Sequence, residues 1–309
     1  MQYSILIPVY NSEKTLTDLV KRIRDVFQTL DGAYEIILVD DGSRFDTWDR
    51  LKQLASKNPE LKIIRLSRNF GQQRAVLCGL RFCGGEYIVT MDDDLQDPPE
   101  EIPKLIEALK SDPETDAVCG KPVFSRESFL RRLSGHAYHT LQNFIYRSDL
   151  RLRVASFKIL RRWVADELLK NQSKNPLIAD LLLEVTEHIK NIDVKRDARA
   201  SGRSGYNLPM LIRQSWDMVV NRSDLPLQFI SIIGFTSSFV AVGMIIYYLV
   251  RYFVGGIGVS GWTTLVILNL FFPGMILFSF GVVGQYLRRI VREVNSTPQS
   301  VIREMEGVE

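Results

Sequence analysis

The sequence predicts an α/β domain built on a mostly parallel sheet, followed by a pair of membrane-spanning helices. Three observations carry this. Through roughly the first 120 residues, short β-branched apolar runs alternate with amphipathic helical stretches, the pattern of a parallel sheet covered on both faces. Several of these runs end in clusters of charged or turn-forming residues, as strands do where they leave a sheet. Near the C-terminus, residues 225–250 and 252–287 form runs of 26 and 36 residues without a charge, against the about 20 apolar residues a helix needs to cross hydrocarbon.

Taken in order, residues 3–9 read as a buried strand ending at Tyr10-Asn11-Ser12, which is expected to cap the next helix. Leu16, Leu19, Val20, Ile23, Val26, Phe27 and Leu30 follow at helical spacing. A second strand, Glu35 to Val39, ends at Asp40-Asp41-Gly42-Ser43. A helix through Leu51, Leu54 and Ala55 leads to a third strand, Leu61 to Leu66, which runs into Ser67-Arg68-Asn69-Phe70-Gly71-Gln72. After a helix over about 72–83 comes a fourth strand, Glu86 to Thr90, and then Met91-Asp92-Asp93-Asp94-Leu95-Gln96-Asp97-Pro98-Pro99-Glu100. Proline and acids at that point start a helix over about 99–110, followed by a strand at Ala117 to Gly120.

The 309 residues are 46% hydrophobic and 24% charged, with a net charge of +3. That charge is too small to mark a nucleic-acid binder, and no nucleic-acid partner is expected. Cys78, Cys83 and Cys119 lack metal-ligand spacing and read as small apolar fillers in a reducing compartment. The apolar run Ile5 to Val9 is too short, and lacks the basic flank, for a secretory signal. No Gly-x-Gly-x-x-Gly or Walker pattern is present, which argues against dinucleotide dehydrogenases and P-loop enzymes.

In an open α/β sheet, ligands bind at the carboxyl ends of the strands. Three clusters fall there: Asp40-Asp41-Gly42-Ser43, Arg68-Asn69-Phe70-Gly71 and Asp92-Asp93-Asp94. Carboxylates after an early strand suit a base or ribose, and an arginine suits phosphate. A triple acid is costly unless a cation neutralises it, and hard oxygen donors suit Mg2+ or Mn2+. Together the clusters describe a site for a nucleoside diphosphate and a cation.

Ile7-Pro8-Val9-Tyr10-Asn11, Val39-Asp40-Asp41-Gly42-Ser43, Arg68-Asn69-Phe70-Gly71-Gln72 and the acidic motif with its Leu95-Gln96-Asp97-Pro98-Pro99-Glu100 tail resemble family 2 glycosyltransferases with the GT-A fold. More narrowly, they resemble the polyisoprenyl-phosphate glycosyltransferases, the group that includes dolichyl-phosphate mannose synthase and bacterial undecaprenyl-phosphate glycosyltransferases. The resemblance implies a nucleotide-sugar site formed by Pro8, Tyr10, Asn11, Asp40, Asp41, Arg68, Gly71, Gln72, Asp92 and Asp93. It implies metal held by Asp92 and Asp94 with Gln96 close by, and an inverting transfer in which Asp94 takes part.

Residues 126–147 read equally as a basic amphipathic helix on a membrane surface or as a helix packed on the sheet, with His136 and His139 as surface or packing residues. Val154 to Leu160 reads as a strand. Arg162-Trp163 is superficially similar to the Gln-x-x-Arg-Trp of processive synthases, but Ile159 stands where glutamine should be. In the polyisoprenyl-phosphate group an aspartate proposed as base precedes this strand; here Leu152 or Arg153 aligns with it, and the nearest acid is Asp149. A lipid phosphate, with a second pKa near 6, is already an anionic nucleophile at neutral pH. The work left to the enzyme is positioning and stabilising the leaving group. Beyond a strand at Ile192 to Lys195, Arg199-Ala200-Ser201-Gly202-Arg203-Ser204-Gly205-Tyr206 reads as a phosphate grip, with Arg199, Arg203 and Ser204 acting on the reacting groups. Related enzymes carry Gly-x-Ser-Lys-Tyr here, and Gly205 replaces that lysine.

The expected organisation is a cytoplasmic catalytic domain (1–205), an interfacial amphipathic helix (206–224), two transmembrane helices (about 226–250 and 263–287, within 225–288) and a cytoplasmic tail (289–309). Arginines at 213, 222, 288, 289 and 292 flank the pair and only Arg251 lies between, so the positive-inside rule puts both ends in the cytoplasm. A bacterial inner membrane fits this arrangement. The expected reaction is transfer of a sugar, UDP-glucose being the example donor, to polyprenyl phosphate. A hydroxyl acceptor or a non-catalytic scaffold are the alternatives. Gly234, Ser238, Gly281 and Gly284 offer helix contacts, leaving a homo-oligomer open.

Overall fold

The computed structural model describes residues 1–123, 154–197 apart from 172, 174 and 175, then 225–255, 261–294 and 298–307. Within them the strands are β1 (Tyr3–Val9), β2 (Tyr34–Asp40), β3 (Leu61–Leu66), β4 (Tyr87–Thr90), β5 (Ala117–Val123), β6 (Lys158–Arg161), β7 (Ile189–Lys195) and β8 (Ile302–Glu306). The helices are α1 (Leu16–Phe27), α2 (Phe45–Ala55), α3 (Gln72–Leu80), α4 (Ile102–Lys110), α5 (Arg162–Leu169), α6 (Ile178–Val185), α7 (Leu225–Gly255) and α8 (Trp262–Val294), with a 3-10 turn at Pro99–Glu101 before α4.

One eight-stranded sheet runs β7-β5-β6-β4-β1-β2-β3-β8. β1 pairs in parallel with β2 and β4, β2 with β3, and β5 with β7. β6 lies antiparallel between β4 and β5, and β8 antiparallel on β3. The alternating pattern of β1 and β2 explains the two cores. Ile5, Ile7, Ile36 and Leu38 pack toward α1, α2 and α4, whereas Leu6, Ile37 and Val39 pack toward α3 and α5. Each such side chain, wholly removed from water, contributes about 1.5–3 kcal/mol. The buried Glu35 carboxylate, at the opposite end of β2 from its carboxyl-end loop, is matched by Lys62 at 2.7 Å, the Ser4 hydroxyl at 2.5 Å and the Gly84 N–H at 2.6 Å.

Several expectations are corrected. Tyr10-Asn11-Ser12 does not cap α1: the helix starts after Thr15 without a side-chain cap. Asn11 is in the left-handed region, and its side-chain oxygen accepts the Arg44 N–H instead. α3 ends at Leu80 rather than near 83, β6 begins only at Lys158, and β7 begins earlier, at Ile189. α6 and β8 have no counterpart in the sequence reading. α8 runs to Val294, and residues 297–309 belong to the same compact unit as 1–134 and 148–203.

The second unit takes in 135–147 and 204–296, of which α7 and α8 are described. α8 continues through Pro273. Large apolar side chains such as Phe235, Phe239, Leu277 and Phe280 stand exposed. Among the described residues no helix is long and apolar enough to cross a membrane; the uninterrupted uncharged runs are a property of the complete sequence, and the spanning reading rests on them. The 126–147 helix and the interfacial helix at 206–224 lie outside the described residues.

Candidate active site

β4 stops at Thr90, and the next residues leave the sheet between its two neighbours. Met91 still donates its N–H to the Leu6 carbonyl at 3.2 Å. Asp92, Asp93 and Asp94 follow, and the turn closes at Leu95, a non-glycine residue at φ 58°. Each acid is held by a different element. Gln72 at the start of α3 donates to Asp92 Oδ1 at 2.6 Å, and Ser156 before β6 donates to Oδ2 at 2.8 Å. Asp93 Oδ2 accepts the Tyr10 N–H at 3.0 Å, while its backbone carbonyl accepts the Thr15 hydroxyl at 2.7 Å. Asp94 Oδ1 accepts the Gln96 N–H at 3.1 Å.

These carboxylates retain some solvent contact but are densely surrounded by protein. Burial pushes Asp92 up, with the neighbouring Asp94 charge adding to it. Burial likewise pushes Asp93 and Asp97 up to about 6, even though Arg196 opposes it at Asp97. The cluster therefore carries more negative charge than its surroundings comfortably hold, the condition under which a bound cation is favoured.

The loop after β2 is locked to the loop after β3. Asp41, buried, accepts the Phe70 N–H at 2.7 Å and the Gly71 N–H at 2.8 Å. Gly42 makes this approach possible: at φ 69°, a Cβ there would sit 2.4 Å from the Arg68 carbonyl carbon and 2.6 Å from the Asn69 nitrogen. Asp40 is wholly buried beneath the loop, accepting the Ser43 N–H at 2.8 Å and facing Arg65 Nε at 3.6 Å. Burial pushes both carboxyls up. The Ser43 hydroxyl in turn accepts the Asn11 N–H at 2.8 Å.

Together the loops enclose a cleft of about 540 Å³. Of the residues the sequence singled out, Pro8, Tyr10, Asn11, Asp41, Gly71, Gln72, Asp92, Asp93 and Asp94 line it, joined by Glu13, Lys14 and Asn69. Asp40, Arg68 and Gln96 do not. Arg68 instead lays its guanidinium over the Phe70 ring at 4.8 Å. Gln96 points its side-chain oxygen at Arg196 (3.1 Å), and its carbonyl accepts the Asp197 N–H at 2.9 Å. Asp149, Arg199, Arg203 and Ser204 lie outside the described residues. Among the described residues no group of three histidines, cysteines or acids forms a ready-made metal cage.

The sequence reading missed Ser156, Thr15 and Arg196. Ser156 reaches Asp92 only because β6 inserts antiparallel beside β4, where the Thr90 hydroxyl also bonds the Ser156 carbonyl at 2.7 Å. No local pattern in the sequence announces that pairing.

The chain resembles known proteins along nearly its whole length. The chain is 30% identical, over all of its length and 95% of the relative, to the uncharacterized glycosyltransferase YkcC of Bacillus subtilis (strain 168). It is 31% identical, over 98% of its length and 89% of the relative, to the undecaprenyl-phosphate 4-deoxy-4-formamido-L-arabinose transferase of Pseudomonas fluorescens (strain Pf0-1). Among solved structures, glucosyl-3-phosphoglycerate synthase from Mycobacterium tuberculosis, in complex with Mn2+, UDP-glucose and phosphoglyceric acid, superposes with a TM-score of 0.54 at 20% identity. The match covers 72% of this chain and 79% of that one, a likeness of the GT-A fold. The model of the family described as glycosyl transferase family 2 matches residues 4–169. That span holds β1 through α5, the three strand-end loops and Ser156, and by it the chain belongs to glycosyl transferase family 2.

Proposed function

We propose that the protein transfers a sugar, with inversion, from a nucleoside diphosphate sugar to polyprenyl phosphate, forming a polyprenyl-phosphate sugar for cell-envelope glycans. UDP-glucose is the first donor to test. One observation carries the reading furthest: the cleft is edged by Asp92–Asp94, and Arg196 is held against the same acid loop. Arg196 bonds Gln96 and stands 3.7 Å from Asp97. Arg199, Arg203 and Ser204 follow Arg196 in the sequence, and from their chemistry and the family resemblance we assign them to the acceptor phosphate. Relatives aligned over nearly the whole chain carry undecaprenyl-phosphate in their names.

The residues fit a hard divalent cation. Mg2+ is typically held by one or two carboxylates together with substrate phosphates rather than by an all-protein cage, and burial, with the neighbouring Asp92 and Asp94 charges adding to it, pushes Asp93 up to about 6. Asp92 and Asp94 would hold Mg2+ or Mn2+, which when bound neutralises charge on the departing nucleoside diphosphate. The chain itself orients Asp92 through Gln72 and Ser156, and shapes the donor cleft through Asp41. The acceptor phosphate, anionic near neutral pH, attacks without a general base, so the departure near Asp149 does not disable the reaction.

The acceptor's location follows from the two uncharged runs, read as a transmembrane hairpin with both ends cytoplasmic in a bacterial inner membrane. Residues 1–134 and 297–309 belong to one folded unit, which supports an even number of crossings between them. Thr236 and Ser279 donate their hydroxyls to carbonyls four residues back, Ile232 and Met275, which satisfies them without water.

Purified protein, Mg2+ or Mn2+, polyprenyl phosphate and a panel of nucleotide sugars would be analysed by mass spectrometry, with Asp94→Ala as control. A metal-dependent lipid-phosphate sugar absent from the variant supports the proposal and names the donor. No product from any donor, with lipid phosphate shown to bind, overturns it in favour of a hydroxyl acceptor or a scaffold.

A further inference from the structure

β8 reaches the sheet from beyond the long helices and closes the β3 edge. Its register sets Glu304 opposite Arg65 and Ile302 opposite Leu66, and the Val301 carbonyl accepts the Ser67 N–H at 2.8 Å. Ser67 is the residue before the 68–71 loop that Asp41 holds. An edge strand needs cover of some kind, but β8 brings more than cover. Glu304 Oε2 accepts the Trp48 indole N–H at 2.9 Å, and Oε1 stands 3.5 Å from Arg65 Nη1. The Arg65 guanidinium lies 5.5 Å over the Trp48 ring and only 7% of the residue is exposed. Its Nε faces Asp40 Oδ2 at 3.6 Å, an oxygen that makes no hydrogen bond. Asp40 holds the Ser43 N–H, and Ser43 holds Asn11, a cleft residue at φ 55°.

We propose that the C-terminal strand positions the donor cleft, with Glu304 as its positioning residue. Glu304 and Trp48 fix the Arg65 guanidinium against Asp40, and this sets the 40–43 turn and the Asn11 backbone. Val301 fixes the start of the 67–71 loop from the other side. A buried carboxylate such as Asp40 is tolerated only with a well-placed cation beside it, and an arginine side chain has many rotamers to lose unless its fork is anchored at both ends. The donor-cleft part of the inference rests on the nucleotide reading above.

The test uses the full-length protein in detergent, comparing Glu304→Ala, Glu304→Gln and, as a surface control on the same strand, Glu306→Ala. Amide hydrogen exchange is read over residues 10–15 and 67–72, and affinity for uridine diphosphate and guanosine diphosphate is read with Mn2+ present. Glu304→Ala is expected to speed exchange at Asn11 and in the 67–71 loop, and to weaken nucleotide binding by about tenfold, the loss of one charge-assisted hydrogen bond. Glu304→Gln keeps an acceptor for Trp48 but not the charge facing Arg65, and falls between. Glu306→Ala leaves both readouts unchanged. Unchanged exchange in both segments of folded Glu304→Ala protein overturns the proposal and leaves β8 as edge cover alone. Faster exchange in a protein that binds neither nucleotide, in parent or variant, upholds the coupling and removes the nucleotide reading instead.

Discussion

Gly42→Ala tests how the cleft is assembled. A Cβ at residue 42 would stand 2.4 Å from the Arg68 carbonyl carbon and 2.6 Å from the Asn69 nitrogen, both backbone atoms. Carbon contacts settle near about 3.5 Å, so the 68–69 backbone must retreat by roughly 1 Å. The Asp41 bonds to Phe70 and Gly71, at 2.7 and 2.8 Å, would then stretch beyond hydrogen-bonding range. Each bond to a charged acceptor is worth about 1.5–3 kcal/mol, and alanine in the left-handed region adds about 1–2 kcal/mol. The closed loop therefore loses about 4 kcal/mol or more. Because the loop can open by itself while the sheet stays folded, the melting temperature should fall only by a few degrees. Binding requires the closed form, so affinity for uridine diphosphate with Mn2+, read by titration calorimetry, should fall at least about 100-fold. Gly71→Ala is the control. Gly71 sits at φ 96°, and a Cβ there would meet nothing within 4 Å, so the substitution incurs only backbone strain of about 1–3 kcal/mol. Binding by Gly42→Ala within tenfold of the parent, or a larger loss in Gly71→Ala, would refute the reasoning.

Three further outcomes follow from the same contacts. Gln72→Ala and Ser156→Ala each release one oxygen of Asp92; half-saturation by Mn2+ in the transfer assay should rise about tenfold for either, the lower range for removing a group that orients a metal ligand, and an unchanged value rejects the proposed role of Asp92. For Glu35, burial pushes the carboxyl up, but bonds from Lys62, Ser4 and Gly84 outweigh it and the net displacement is downward from 4.5. Its contribution to stability is therefore present above pH 4.5 and lost as the pH falls through the lower folded-state value; Glu35→Gln should flatten the melting temperature in that acid window, and an unaltered profile contradicts the assignment. Finally, Ser260→Cys, between the two expected transmembrane helices, should react with a membrane-impermeant maleimide added outside spheroplasts. Background should be low because burial pushes Cys78 up, Cys83 up to about 12 and Cys119 up to about 11. Labelling only after lysis contradicts the proposed topology.

The alternation of apolar runs and amphipathic stretches was enough to order β1 to α4, and the three polar clusters at strand ends supplied Asp41, Gly71 and Asp92 to Asp94 of the cleft lining, because period and strand-end chemistry are local properties; Pro8, Tyr10, Asn11 and Gln72 came from the family resemblance. Asp40 and Arg68 are not among the lining residues. Both carry the expected charge, yet Asp40 lies beneath the cleft against Arg65 and Arg68 lies on Phe70, since which face a loop residue turns to depends on its partners in the fold. Tyr10-Asn11-Ser12 looked like a helix cap because those residue types cap helices; Ser43 and Arg44, more than thirty residues away, claim Asn11 instead.

The sequence by itself determined the alternating α/β order, the acid triplet at a central strand end and two long uncharged runs. Only the tertiary structure decided that β6 enters antiparallel, which delivers Ser156 to Asp92, and that the chain's last strand returns to β3, which sets Glu304 against Arg65. Both are pairings between segments distant in sequence. Their register is fixed by backbone hydrogen bonds and by burial of the facing side chains, and no window of neighbouring residues contains either.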